Sequence, residues 1–342
     1  MAITAPEKAF AFNPVTIEVT GISSSVKIAR VEIRVGSETV GSIKRKPVNG
    51  TAVFDVSALL QTIFERRNLL PKENTANTFK LATYRLFFDN NFQQDGTFDT
   101  LWGALQIGEQ YNQFRKLTFF TEFPFTIPVF FNEPGRLYVK KDNAAFVDWR
   151  AVPAKKHEID IAYWKTAVNK VIIQNGIQSG SVWDSTFDST FRVVLNIPLY
   201  IEFELTVNKC TEGVYLRWIN KYGDFCYWLF NKETEQNSVS NIAVNIEEYL
   251  KTVDFINNFS MGTNHPKGKE PQRSIALFAP LVDSEAFDFL NTLMDSPVVD
   301  LYRGDNKWVR VNIAPANVVK SDDDLQDFAC TLVLPTTFTQ EL

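Results

Sequence analysis

Val214-Tyr-Leu-Arg-Trp-Ile219, Asn220-Lys-Tyr-Gly-Asp224 and Phe225-Cys-Tyr-Trp-Leu-Phe230 follow one another without a break, and their reading decides the fold. The outer stretches are aromatic and aliphatic, which suits a pleated surface, and the middle one holds the Asn, Gly and Asp of turn chemistry. Together they predict a β-hairpin. Side chains alternate along a strand, so Val214, Leu216 and Trp218 share one face and Tyr215, Arg217 and Ile219 the other. Both faces are heavily apolar. A strand of that kind is expected between two layers or between subunits, which makes Arg217, Trp218, Tyr222 and Trp228 candidate interface residues.

Upstream of the hairpin, residues 114–131 hold seven phenylalanines in eighteen positions, interrupted by Pro124 and Pro128. Two prolines exclude a helix and leave irregular or edge strand. The rings, Phe120, Phe123 and Phe125 among them, are expected to be buried at a boundary between modules, with a partner-docking or membrane-inserting loop as the sharper alternative. Asp184-Ser-Thr-Phe187 and Asp188-Ser-Thr-Phe191 form a tandem tetrapeptide too short to imply a solenoid and read as a loop entering a strand.

The N-terminal region reads as antiparallel sheet. Val31, Ile33 and Val35 alternate with Arg30, Glu32 and Arg34, and Gly36-Ser37 and Asn49-Gly50 bracket a second strand over 39–43. A third strand over 51–54 leads to a helix capped by Asp55 or Ser57, with Leu59, Leu60, Ile63 and Phe64 at helical spacing and a stop near Pro71. Residues 78–88 form another strand. After the hairpin the character changes: 246–250 looks helical, 274–279 is a strand, and Asp283 or Ser284 caps a helix to about Met294. Strands at 297–302 and 308–313 flank a turn at Gly304-Asp-Asn306, and 327–334 supplies the last strand. The fold class is therefore mainly β, with antiparallel sandwich-like modules followed by a small α+β C-terminal module. The expected domains are 1–134, 135–245 with the long hairpin, and 246–342.

Composition narrows the function classes. The chain has 342 residues, 45% of them hydrophobic and 22% charged, which excludes disorder as the main state. Phe 29, Tyr 10 and Trp 7 give it unusual aromatic mass to bury. A net charge of -5 gives no electrostatic footprint for nucleic acid. The basic clusters Lys44-Arg45-Lys46, Lys155-Lys156 and residues 267–273 read as solvated turn charge. Three cysteines, Cys210, Cys226 and Cys330, lack metal or disulfide spacing. The opening residues carry no recognisable secretory signal, and no apolar run reaches the length of a membrane span.

Catalytic patterns are weak. His157 and His265 are the two histidines and are expected at the surface. No G-x-S-x-G elbow occurs, and Gly262 to Glu270 fails as a phosphate loop in both glycine spacing and the missing hydroxyl. Glu202 and Glu204 alternate with Ile201, Phe203 and Leu205, as on the wet face of a strand. Asp322-Asp-Asp324 lacks the glycine and distant glutamate of a calcium loop. No cofactor or metal is expected.

The segments Tyr215-Leu-Arg-Trp-Ile-Asn-Lys-Tyr-Gly223 and Tyr227-Trp-Leu-Phe230 resemble tail structural proteins of phages and prophages of Bacteroides-type gut bacteria. The same resemblance extends to Arg273-Ser-Ile-Ala-Leu, the helix to Met294, Ser296-Pro-Val-Val, Trp308-Val-Arg-Val, Leu325-Gln-Asp-Phe328 through Pro335, and Gly50-Thr-Ala-Val-Phe-Asp-Val-Ser57. It touches about half the chain. It implies a β-rich, non-enzymatic tail or baseplate component that assembles in the host cytoplasm, resides in the virion, and works by self-association and contacts with other tail proteins. The competing expectation is a carbohydrate-binding or adhesion module in which Trp218, Trp228, Trp183 or Tyr215 stacks on sugar rings.

Overall fold

The structure is a computed structural model that describes residues 1–64, 78–105, 114–131, 135–141, 145–152, 155–160, 170–174, 200–241, 245–246, 265–266 and 268–335. It is mainly β, as the alternation requires, with two short helices among the described residues. The chain divides into two compact units, the first Met1–Thr211 with Ile219–Tyr227 and the second Glu212–Trp218 with Trp228–Leu342.

In the first unit, β1 (Ala2–Thr4), β2 (Lys8–Phe10), β3 (Thr16–Thr20), β4 (Ala29–Val35), β5 (Glu38–Arg45) and β6 (Ala52–Asp55) precede helix α1 (Ser57–Thr62). β7 (Phe79–Phe88) and β8 (Asn91–Leu101) follow. β1, β3 and β6 make one sheet, and β2-β8-β7-β4-β5 make another. Period-two patterning decides which side is dry: Val31 and Ile33 of β4, Leu86 of β7 and Phe98 of β8 are buried, as are Ile17 and Val19 of β3 and Phe54 of β6. The Gly36-Ser37 hairpin forms, with Val35 opposite Glu38. Asn49 and Gly50 take φ of 51° and 74°, the left-handed pair of a type I′ turn.

Helix α1 departs from the expected one. Its N-cap is Val56, without a side-chain cap. Asp55 instead accepts hydrogen bonds from the Ser57 amide at 3.0 Å and hydroxyl at 2.7 Å, one residue too early to cap. Those bonds, the hydroxyl's first, hold the Asp55 carboxyl below its ordinary pKa. The helix closes at Thr62, and the expected continuation beyond residue 64 lies outside the described residues.

The middle of the first unit contains β9 (Lys116–Phe120), β10 (Thr126–Phe131), β11 (Gly135–Lys141), β12 (Ala145–Val152), β13 (Lys155–Asp160), β14 (Lys170–Gln174) and β15 (Tyr200–Asn208). The sheet order is β12-β11-β14-β15-β9, and β10 pairs with β13 alone. Neither proline is inside a sheet: Pro124 lies between β9, which ends its sheet, and β10, where Pro128 sits in a two-stranded ribbon opposite Glu158. The expected antiparallel rule fails at two edges, where β2 lies parallel to β8 and β9 parallel to β15. Glu204 is exposed on its strand. The tandem repeat at 184–191 and Trp183 lie outside the described residues, as do the side chains of His157 and His265.

The second unit carries most of the hairpin strands β16 (Val214–Ile219) and β17 (Phe225–Asn241), then β18 (Asn245–Ile246), β19 (His265–Pro266) and β20 (Lys269–Asp283). Helix α2 (Ser284–Asn291), β21 (Val299–Tyr302), β22 (Trp308–Ile313) and β23 (Leu325–Val333) complete it. These strands form a closed barrel ordered β16-β17-β20-β23-β22-β21, so strands on both sides of residue 245 share one structure. Ile246 is a strand residue where a helix is expected, and the rest of that expected helix is outside the described residues. Asp283 caps α2 as expected, accepting from the Ala286 amide at 2.8 Å. The helix seats Phe287 on Phe328, with centroids 5.6 Å apart, and Phe289 on Trp218 at 5.4 Å. Each such ring, once buried, contributes roughly 1.5–3 kcal/mol. The basic clusters prove to be largely strand residues: Lys44 and Arg45 end β5, Lys155 and Lys156 open β13, and Lys269 opens β20.

Gly213 enters β16 with φ of +142°, and a Cβ there would overlap the Phe230 carbonyl oxygen, a backbone atom that cannot swing aside. Gly213→Ala is expected to destabilise the barrel by about 1–3 kcal/mol. A lower urea midpoint at unchanged slope is the measurement that checks it.

Candidate interaction site

The hairpin turn is built around one buried amide. Asn220 Oδ1 accepts from the backbone N–H of Tyr222 at 2.9 Å and of Asp224 at 3.0 Å, while Asn220 N–H donates to the Asp224 carbonyl at 2.9 Å. Gly223 takes φ of +76° and returns its N–H to the Asn220 carbonyl. This is the Asn-x-x-Gly-Asp chemistry legible in the sequence. Tyr222 is buried within the first unit. In the same unit Tyr227 meets the phenylalanine segment: its ring lies 5.4 Å from that of Phe125, and its hydroxyl is 2.8 Å from that of Thr126. Phe119, Phe120 and Phe125 are buried, and Phe123 is half-buried.

In the second unit the two faces of β16 separate by chemistry. Trp218 has no exposed surface, and its indole N–H donates to the Thr292 hydroxyl at 2.8 Å. That hydroxyl in turn donates to the Phe289 carbonyl, so Trp218 pins the C-terminal end of α2. Trp228 is half-buried beside the same Phe289 ring. On the opposite face Arg217 is buried, pairs with Asp300 at 3.0 Å and lies 4.0 Å over the Trp308 ring. Arg310 reaches the other Asp300 oxygen at 2.7 Å from a more exposed position. Tyr302 and Trp308, both half-buried, stack beside this cluster with centroids 5.0 Å apart.

Of the residues read as interface candidates, Arg217, Trp218, Tyr222, Phe120 and Phe125 are therefore inside the chain's own core. A side chain already removed from water by its own fold has no area left for a partner. Trp228 and Phe123 keep partial exposure. The sugar-stacking reading loses Trp218 and Tyr215 for the same reason, since both are buried. Among the described residues no group of three His, Cys, Asp or Glu could hold a metal, and Asp322, Asp323 and Asp324 are exposed. Burial pushes the Cys330 thiol up to about 12, which leaves it a packing group.

No known family model, curated protein or solved structure matches this chain. Among the described residues no helix is long and apolar enough to cross a membrane.

The sequence reading missed a second surface feature, the far part of β17 and its partner. Residues 232–240 of β17 are all exposed and, among the described residues, pair only with β20, from Lys232 opposite Leu277 to Asn241 opposite Lys269. Lys269, Glu270, Gln272 and Arg273 on the partner strand are exposed as well. The two-stranded part, residues 237–241 against 269–273, spans about 16 Å at some 3.3 Å per residue. It lacks apolar alternation because it has no dry face, which is why periodicity gives no sign of it.

The root of the ribbon is pinned by charge. Glu235 accepts from Lys232 Nζ at 2.8 Å and pairs with Arg273, and these bonds, Lys232's first, lower its pKa from 4.5 to about 2. Folding lowers this pKa, so the contribution is present above pH 4.5 and is lost as pH falls toward 2. Amide exchange in the ribbon is expected to accelerate below about pH 3 relative to the barrel, and Glu235→Gln is expected to flatten that dependence. An exchange profile identical for both proteins would refute it.

Proposed function

We propose that the chain is a non-enzymatic structural component of a phage or prophage tail or baseplate, acting by self-association and by contacts with neighbouring tail proteins. The observation that carries this reading is the two-stranded ribbon of residues 237–241 and 269–273, largely exposed, that continues beyond the closed barrel. A two-stranded ribbon is marginal in water by itself, and one held out from a rigid barrel gains stability when another chain covers it. The resemblance of the hairpin and the C-terminal strands to tail structural proteins supports the same reading. Assembly in the host cytoplasm and residence in the virion follow from it. Light scattering and electron microscopy of concentrated protein test it: rings, tubes or closed oligomers are the expected result. A strict monomer that binds glycans on an array would overturn it.

One observation favours the carbohydrate-binding alternative, the half-buried pair Tyr302 and Trp308. Under that reading these rings, in place of Trp218 and Tyr215, would carry the sugar. Loss of array binding in Trp308→Ala tests it.

A further inference from the structure

The two long edges of the ribbon differ in their fitness to accept another strand. The hydroxyls of Ser238 and Ser240 donate to the carbonyls of Gln272 and Glu270, at 3.3 Å and 3.4 Å. Those carbonyls therefore point toward β17. Alternation turns the backbone polar groups of Pro271 outward on the β20 edge, and those of Val239, directly opposite, outward on the β17 edge. On β20 the outward position is a proline with no N–H to donate, set between Lys269–Glu270 and Arg273; proline and charge are the usual devices that protect an edge. The β17 edge carries no such protection. From Gln236 to Asn241 it reads Gln-Asn-Ser-Val-Ser-Asn, without proline, glycine or charge, and among the described residues no strand pairs with its outer side.

The same composition names the occupant. Laid antiparallel on itself about Ser238, the strand sets outward-facing Asn237 opposite outward-facing Val239 and Gln236 opposite Ser240, so no like charges meet in the pairing. We propose that the β17 edge over residues 236–241 pairs antiparallel with the same edge of a second copy of this chain, turning two ribbons into one four-stranded sheet. This rests on the self-association reading above and specifies the surface that carries it.

The test is the solution mass of the full chain at high concentration, beside Val239→Pro and Val239→Lys. The proline removes only an outward-facing N–H, and the lysine restores the usual edge charge. The wild-type protein is expected at twice the chain mass or more, and both variants are expected to show a mass lower by a factor of two or more, with the unfolding midpoint of the barrel unchanged. If the wild-type protein and both variants associate alike, the ribbon pairing is wrong while self-association stands. A wild-type protein that stays at the single-chain mass overturns both.

Discussion

Trp218→Ala is expected to cost about 3–5 kcal/mol and to melt the second unit at markedly lower denaturant, whether or not the protein is assembled. The indole is completely buried and packs on Phe289 at 5.4 Å, so truncation opens a cavity at the seat of α2. It also removes the donor that the Thr292 hydroxyl accepts at the end of that helix. Trp218→Phe separates the two effects, since it keeps most of the apolar contact and loses the N–H; about 1–2 kcal/mol is expected for it. Urea unfolding followed by near-ultraviolet dichroism gives both numbers, and an unchanged slope confirms that the same surface is exposed. A Trp218→Ala protein with the wild-type midpoint and altered assembly would return this ring to an interface.

The hairpin was legible because every signal in it agrees. Apolar residues occupy alternate positions on both strands, and the turn carries the Asn, Gly and Asp that its backbone requires. The same agreement made the Gly36 turn, the Asp283 cap and the Trp308 strand readable. What alternation cannot show is the third dimension. A strand apolar on both faces is compatible with a subunit interface or with a barrel wall covered by a helix, and only the return of β21 to β16 decides it. The parallel edges β2–β8 and β9–β15 join residues far apart in the chain, a kind of pairing no local pattern encodes. β8 escaped notice because residues 93–97 are polar or glycine. Its signal was the Asp89-Asn90 pair, whose φ of 45° and 71° make the type I′ turn that returns β7 as β8. The exposed ribbon escaped for the same reason, and so the part of the candidate site least visible to periodicity is the part most open to a partner.

The second large effect belongs to Asp300, whose role depends on which of its two arginines is buried. Arg217 and Asp300 side chains are each 5% exposed, whereas Arg310 is 43% exposed. Losing one member of a buried pair costs about 3–5 kcal/mol, mostly from the charge left in a poor dielectric, while an exposed partner contributes about 0–1 kcal/mol. Asp300→Ala takes away the carboxylate that both guanidinium groups share, and is expected to cost the full amount. Arg217→Met is expected to cost less, because Asp300 keeps Arg310 and the methionine stem can replace the guanidinium over Trp308. Arg310→Ala is expected to cost under about 1 kcal/mol. The double variant Arg217→Met with Asp300→Leu removes both buried charges together, and its stability is expected within about 1 kcal/mol of wild type. Urea midpoints for the four proteins measure the order and the coupling. Equal losses for Arg310→Ala and Asp300→Ala would show that the exposed arginine, and not the buried one, sets the energy of the cluster. The order expected here instead makes Arg217 a wall residue of the barrel whose charge is tolerated because Asp300 and the face of Trp308 enclose it.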